Sequence, residues 1–223
     1  MGIKANLKIL NDELKNHNCR LVAVSKTKPN SMIMEAYNVG QRDFGENKVQ
    51  DLAKKYQELP KDICWHMIGH LQRNKVKYIT PFVHLIHGVD SQKLLMEINK
   101  QGEKHDRLIN CLLQMHIATE ESKFGFDQGE LIDLLESDAI ANMNHIKLSG
   151  LMGMATNTSN ESLIRSEFQG LKKLFERIKS TYTIPNLDFT KLSMGMSGDY
   201  KIAIEEGSTL IRIGTSIFGE RNY

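Results

Sequence analysis

Short apolar runs rich in β-branched residues alternate with longer amphipathic stretches along nearly the whole chain, a rhythm that confines it to βα units around a parallel sheet. The expected strands are Leu21 to Ser25, Arg42 to Gly45, Ile63 to Ile68, His84 to Val89, Asn110 to His116, His145 to Met152, Asp188 to Leu192 and Thr209 to Ile213. Helical stretches lie near Ser31 to Val39, Lys48 to Glu58, Leu71 to Tyr78, Ser91 to Glu103, Asp127 to Ser137, Glu161 to Thr181 and Gly198 to Glu205, with one more before the first strand. This pattern is that of an α/β protein, a single (β/α)8 barrel of the TIM type with an extra N-terminal helix. The 223 residues suit one such domain, and no linker, low-complexity tract or internal repeat divides residues 1–223.

Composition removes several classes of function. Basic and acidic residues, 29 against 27, are interleaved, so no charged stripe favours a nucleic-acid backbone or an anionic membrane. No apolar run approaches the roughly 18 to 20 residues needed to span a bilayer. The N-terminus MGIKANLKILNDELKNHNCR is a mixed helix rather than a signal peptide, so a cytoplasmic protein is expected. Cys19, Cys64 and Cys111 are scattered and odd in number, which suits reduced thiols and argues against a disulfide frame or a structural zinc site.

A barrel gathers its chemistry at the C-terminal ends of its strands. Lys26 follows the run Leu-Val-Ala-Val-Ser and is delivered to that mouth, where partial desolvation lowers a lysine pKa toward Schiff-base chemistry. A solvated loop lysine is the plainer alternative. Ser193-Met194-Gly195-Met196-Ser197-Gly198 follows the seventh strand, and Arg212-Ile213-Gly214-Thr215 ends the eighth. Each is routine turn chemistry by itself. Together they occupy the two places where barrels hold phosphate. A reactive lysine opposite a phosphate cup describes a site for pyridoxal 5′-phosphate (PLP).

The segments AVSKTKP (23–29), FGENKVQ (44–50), WHMIGHLQRNK (65–75), ESKFGF (121–126), LSGLMGMAT (148–156), LSMGMSGDY (192–200) and STLIRIGTSIFGER (208–221) resemble, in order and spacing, the pyridoxal-phosphate homeostasis proteins, the YggS/PROSC family. The resemblance implies a barrel similar to the N-terminal domain of alanine racemase, with Lys26 carrying PLP covalently as an internal aldimine. It places Arg212 beside the pyridine nitrogen and the N–H groups of Gly214 and Thr215 on the phosphate; the Gly-containing turn after the seventh strand is expected to complete the cup with Ser193, Gly195, Met196 and Ser197. Asn47 and His66 are expected to wall the ring, Asn47 foremost, with a satisfied core histidine the alternative for His66; Lys123 matches a secondary, non-catalytic lysine near the site, with a solvated loop residue its alternative. Thr156 stands where the family usually has proline.

The resemblance implies binding, storage and delivery of PLP to PLP-dependent apoenzymes without established turnover, and because a carrier needs no oligomer a monomer is expected. The racemase-like relatives draw a second acid or base from a C-terminal β domain, and this sequence ends two residues after Arg221. A racemase-like enzyme using Lys26 alone or Tyr200 is the alternative. A phosphate-sugar enzyme with Lys26 as an aldolase-like base is a third.

Overall fold

The computed structural model describes residues 2–119 and 124–220. Its eight parallel strands are β1 (Arg20–Val24), β2 (Asp43–Glu46), β3 (Cys64–Met67), β4 (Leu85–Val89), β5 (Ile109–Gln114), β6 (Ile146–Met152), β7 (Leu187–Ser193) and β8 (Leu210–Ile213), closed in that order into a barrel by the pairing of β8 with β1. All eight expected strands are present. β1 starts one residue before its expected range, at Arg20, and releases Ser25 into the turn that carries Lys26. Short strands such as Leu210-Ile211-Arg212-Ile213 are buried at every position, as strands covered on both faces must be.

The amphipathic stretches form the outer layer. They are α1 (Ile3–Leu14), α2 (Asn30–Asn38), α3 (Val49–Glu58), α4 (Gln92–Lys104), α5 (Gln128–Glu136), α6 (Asp138–Ala141), α7 (Glu161–Thr181), α8 (Tyr200–Glu205) and α9 (Thr215–Phe218). Helix α7 shows why: Ile164, Phe168, Leu171, Phe175 and Ile178 recur every three or four residues and are all buried. Burial of each such side chain is worth roughly 1.5 to 3 kcal/mol over exposure. Asn160 starts this helix by accepting the Leu163 N–H at 3.2 Å. Asp127 and Glu130 form a reciprocal capping box at the start of α5. The extra helix α1 buries Ile3, Leu7, Leu10 and Leu14 and is tied to α9 by Asn6 Nδ2, which donates to the Ile217 carbonyl at 3.0 Å.

The helix expected over Leu71 to Tyr78 is instead a 3-10 helix over Arg73–Tyr78. Within it only Val76 is buried, and a single apolar anchor cannot hold the wider apolar stripe of an α-helix. The four-residue helices α6 and α9 are too short to show a period in the sequence.

Gly150 fixes the geometry of β6. Its φ is +148°, and a Cβ there would stand 1.7 Å from the Lys191 carbonyl oxygen, so only glycine lets β6 and β7 approach across the register shift between Leu148 and Gly150. The main core lies between barrel and helices. A separate cluster of Val22, Leu85, Leu112, Met152 and Leu210 fills the barrel itself. Because side chains alternate along a strand, His87 shares the inner face with Leu85, and Arg212 shares it with Leu210. Among the described residues no helix is long and apolar enough to cross a membrane.

Candidate functional site

At the C-terminal ends of the strands lies a cavity of about 460 Å3, within the range of small-molecule sites. Lys26, Asn47, Met196, Ser197, Arg212, Gly214 and Thr215, seven of the expected site residues, line it together. A larger groove of about 570 Å3 lies outside the barrel between α3 and the 3-10 helix, away from the strand ends. The reactive groups gather in the smaller one.

Lys26 is half-buried and leaves β1 through a sharp turn: Thr27, next in sequence, has φ of +64°. A β-branched residue in the left-handed region costs on the order of 1 to 3 kcal/mol and marks an enforced conformation. The enforcement comes from below. Glu46 Oε1 accepts from Ser25 Oγ at 2.6 Å and from Lys55 Nζ at 2.7 Å, and Lys55 Nζ also donates to the Ser25 carbonyl at 2.9 Å. Burial pushes the Glu46 carboxyl up against the pull of Lys55 and Ser25. The second lysine at the mouth is differently employed. Lys28 Nζ donates to the carbonyls of Phe218, Gly219 and Glu220 at 3.2, 3.0 and 2.7 Å and closes the end of α9.

Arg212 is buried, and burial lowers its pKa to about 10, which leaves it charged at neutral pH. Its Nη1 donates to Ser193 Oγ at 2.5 Å and its Nη2 to the Gly153 carbonyl at 3.1 Å, both neutral acceptors. Ser193 also contacts His87 Nδ1 at 3.0 Å, His87 Nε2 meets His66 Nδ1 at 2.9 Å, and His66 Nε2 meets Asp43 Oδ1 at 3.0 Å. A relay therefore runs inside the barrel from Arg212 to Asp43.

Its polarity follows from the two ends. Burial alone would raise the Asp43 carboxyl, but the His66 hydrogen bond and the charges of His66, Arg20 and His84 hold it below its ordinary value. Burial, with the charges of His66 and Arg212, holds His87 well below its own, so it is neutral. With His66 neutral, Nε2–H donates to the ionised Asp43, which leaves His66 Nδ1 to accept from His87 Nε2 and His87 Nδ1 to accept from the Ser193 hydroxyl.

Two expected members of the phosphate cup are not among the residues lining the cavity. Ser193 is fully buried and holds Arg212 from behind. Gly195 has φ of +96°, a Cβ there would meet Ala203 Cβ at 2.6 Å, and its carbonyl accepts the Arg212 N–H at 3.0 Å. Both shape the strand end. Met196 lines the cavity, but its N–H donates to Asp199 Oδ1 at 2.5 Å. His66, expected beside the ring, is a relay member bonded to Asp43. Tyr200 is held by Glu13 Oε2 at 2.7 Å, and burial followed by that bond raises it to about 12. Lys123 lies outside the described residues. Thr156 uses the N–H that proline lacks, donating to Glu167 Oε2 at 2.7 Å while its hydroxyl donates to Oε1 at 2.6 Å.

The cavity also contains His70, Gln114, Phe124 and Met154, which the sequence pattern did not single out as ligand contacts. His70 Nδ1 bonds Asp90 Oδ2 at 2.9 Å, and its ring stacks on Phe124 with centroids 4.2 Å apart. Gln114 Nε2 donates to the Phe124 carbonyl at 2.8 Å and holds Phe124 at the cavity.

The chain matches the family model of the alanine racemase N-terminal domain over residues 2–222. A pyridoxal phosphate homeostasis protein of Aquifex aeolicus is 40% identical over 211 residues, covering 94% of this chain and 90% of that protein. A protein of the same name from Haemophilus influenzae is 38% identical over 235 residues, covering 100% and 98%. The solved structure of PipY from Synechococcus elongatus with PLP bound has a TM-score of 0.88 at 33% identity, covering 97% of this chain and 100% of that one. Alanine racemase of Bartonella henselae, 16% identical, shares the fold with a TM-score of 0.72 over 99% of this chain and 60% of its own. The chain thus belongs to the pyridoxal phosphate homeostasis protein family, built on the fold of the alanine racemase N-terminal domain.

Proposed function

We propose that this protein binds PLP in the cavity at the strand ends and serves intracellular PLP homeostasis, holding the cofactor on Lys26 as an imine and handing it to apoenzymes. The observation that carries this is the placing of a half-buried lysine and a buried arginine on one cavity, in a chain whose relatives are named for PLP homeostasis. The residues fit the group. Lys26 lines the cavity and supplies the amine, and Lys28 closes the end of α9 through three carbonyls. The Arg212 guanidinium donates to two neutral acceptors, Ser193 Oγ and the Gly153 carbonyl, and its charge suits a ring nitrogen that carries no proton. At the start of α9 the N–H groups of Thr215 and Ser216 precede the first helical bonds, which Ile217 and Phe218 make to the Gly214 carbonyl, and with the Ser197 hydroxyl they suit a phosphate. PLP supplies an aldehyde that condenses with a lysine amine with loss of water.

Turnover is not part of this proposal. A cation beside the pyridine disfavours protonation of the ring and weakens it as an electron sink. Tyr200, the tyrosine available for acid–base work, is bound to Glu13. The carrier acts in the cytoplasm as a monomer of one domain. One observation favours a racemase-like alternative: His70 with Asp90 forms a histidine–carboxylate pair at the cavity. Incubating the PLP-loaded protein with L-alanine in deuterated water separates the two. A carrier leaves α-hydrogen exchange at the rate of free PLP, whereas exchange at about 1 per second that His70→Ala abolishes establishes the enzyme.

A further inference from the structure

The far end of the relay carries a second constellation. Asp43 opens β2, His66 lies within β3, and His84 immediately precedes β4, so three adjacent strands bring a carboxylate and two imidazoles to one spot near the N-terminal end of the barrel. One ligand atom from each lies within 4.8 Å of the other two. A pocket of about 290 Å3 opens on all three residues. No spacing in the sequence announces this cluster, since its members come from three separate strands.

We infer that Asp43, His66 and His84 form a binding site for a divalent first-row transition metal ion, with zinc as the ion best matched. Two imidazole nitrogens and one carboxylate oxygen are donors that suit zinc and its neighbours, whereas magnesium and calcium favour sets made of oxygen. The geometry needs little adjustment. Tetrahedral zinc with bonds near 2.0 to 2.1 Å holds its ligand atoms about 3.3 Å apart, and Asp43 Oδ1 and His66 Nε2 are already 3.0 Å apart. The fourth position faces the pocket and takes water.

Both buried ligands already have the outer partners that orient metal ligands. Arg20 Nη2 holds Asp43 Oδ2 at 2.8 Å, leaving Oδ1 for the metal. His87 Nε2 stands 2.9 Å from His66 Nδ1. When metal takes His66 Nε2, the ring proton moves to Nδ1 and is donated to His87 Nε2. The His87 proton then moves to its Nδ1 and is donated to Ser193 Oγ, which accepts it alongside the Arg212 bond. Starting from a neutral His66, the relay gains and loses no proton, and its polarity reverses. Arg20 and Lys191, which also line the pocket, add positive charge and weaken the site for any cation.

Titration with Zn2+ alone tests the site, on the full chain dialysed free of small molecules and carrying Cys64→Ser, because Cys64 pairs with Asp43 in register and its thiol would compete. The expected result is one equivalent bound, retained against excess Mg2+ or Ca2+, with His84→Ala and Asp43→Asn each weakening binding about tenfold or more. Circular dichroism checks that the variants are folded, and His84→Gln replaces His84→Ala if the latter is not. Failure to bind one equivalent at about 1 mM Zn2+ overturns the site, as does an affinity unchanged by the His84 variant that folds.

Discussion

Arg212 Nη1 donates to Ser193 Oγ at 2.5 Å, so a serine that never reaches the cavity sets the direction of the cation that does. Removing that hydroxyl costs the Arg212 guanidinium one of its two hydrogen bonds among the described residues and strips His87 Nδ1 of its partner. A hydrogen bond to a charged group is worth about 1.5 to 3 kcal/mol. Ser193→Ala is therefore expected to weaken PLP binding about tenfold or more and to lower the denaturation midpoint, read by absorbance titration and urea unfolding.

The Glu46–Lys55 pair predicts a larger loss of stability. Glu46 is fully buried and Lys55 nearly so, and Lys55→Met leaves a buried carboxylate without its cation. Breaking such a pair from one side costs about 3 to 5 kcal/mol. The double variant Glu46→Gln/Lys55→Met should recover part of this loss, and urea unfolding of the two variants measures it.

Acid sensitivity should trace in part to His87. In the folded chain it stays neutral because burial holds its pKa well below 6.5, whereas the unfolded chain takes up a proton as the pH falls through that value. The unfolded state then binds more protons than the folded one. Stability is full above pH 6.5 and falls on acidification at up to about 1.4 kcal/mol per pH unit until the folded value is reached. Burial lowers His84 as well and adds in the same direction. His87→Gln is expected to flatten the slope between about pH 6.5 and 5, with urea midpoints across that interval as the measurement.

At the phosphate end, Ser197→Ala should weaken PLP binding about tenfold while leaving the weaker binding of unphosphorylated pyridoxal unchanged. Equal losses for both ligands would move Ser197 away from the phosphate.

The barrel was legible because its information is local. Runs such as Leu21-Val22-Ala23-Val24 announce a strand covered on both faces, and the Ile164 to Ile178 stripe announces the helix that covers one. Lys26 and Arg212 were legible as mouth residues because each stands at a strand end. Depth was not legible. Ser193 also ends a strand, but the inward turn of its side chain puts it under the arginine, and only the closed barrel reveals that. The relay from Arg212 to Asp43 through Ser193, His87 and His66 joins five strands whose order in space, not spacing in sequence, brings them together.

The most direct test of the central claim is borohydride reduction of the PLP-loaded protein followed by peptide mapping. The pyridoxyl mass is expected on the peptide containing Lys26, with loss of the visible band in a folded Lys26→Ala variant. A label confined to Lys28 or Lys123, or a band that survives in Lys26→Ala, contradicts it.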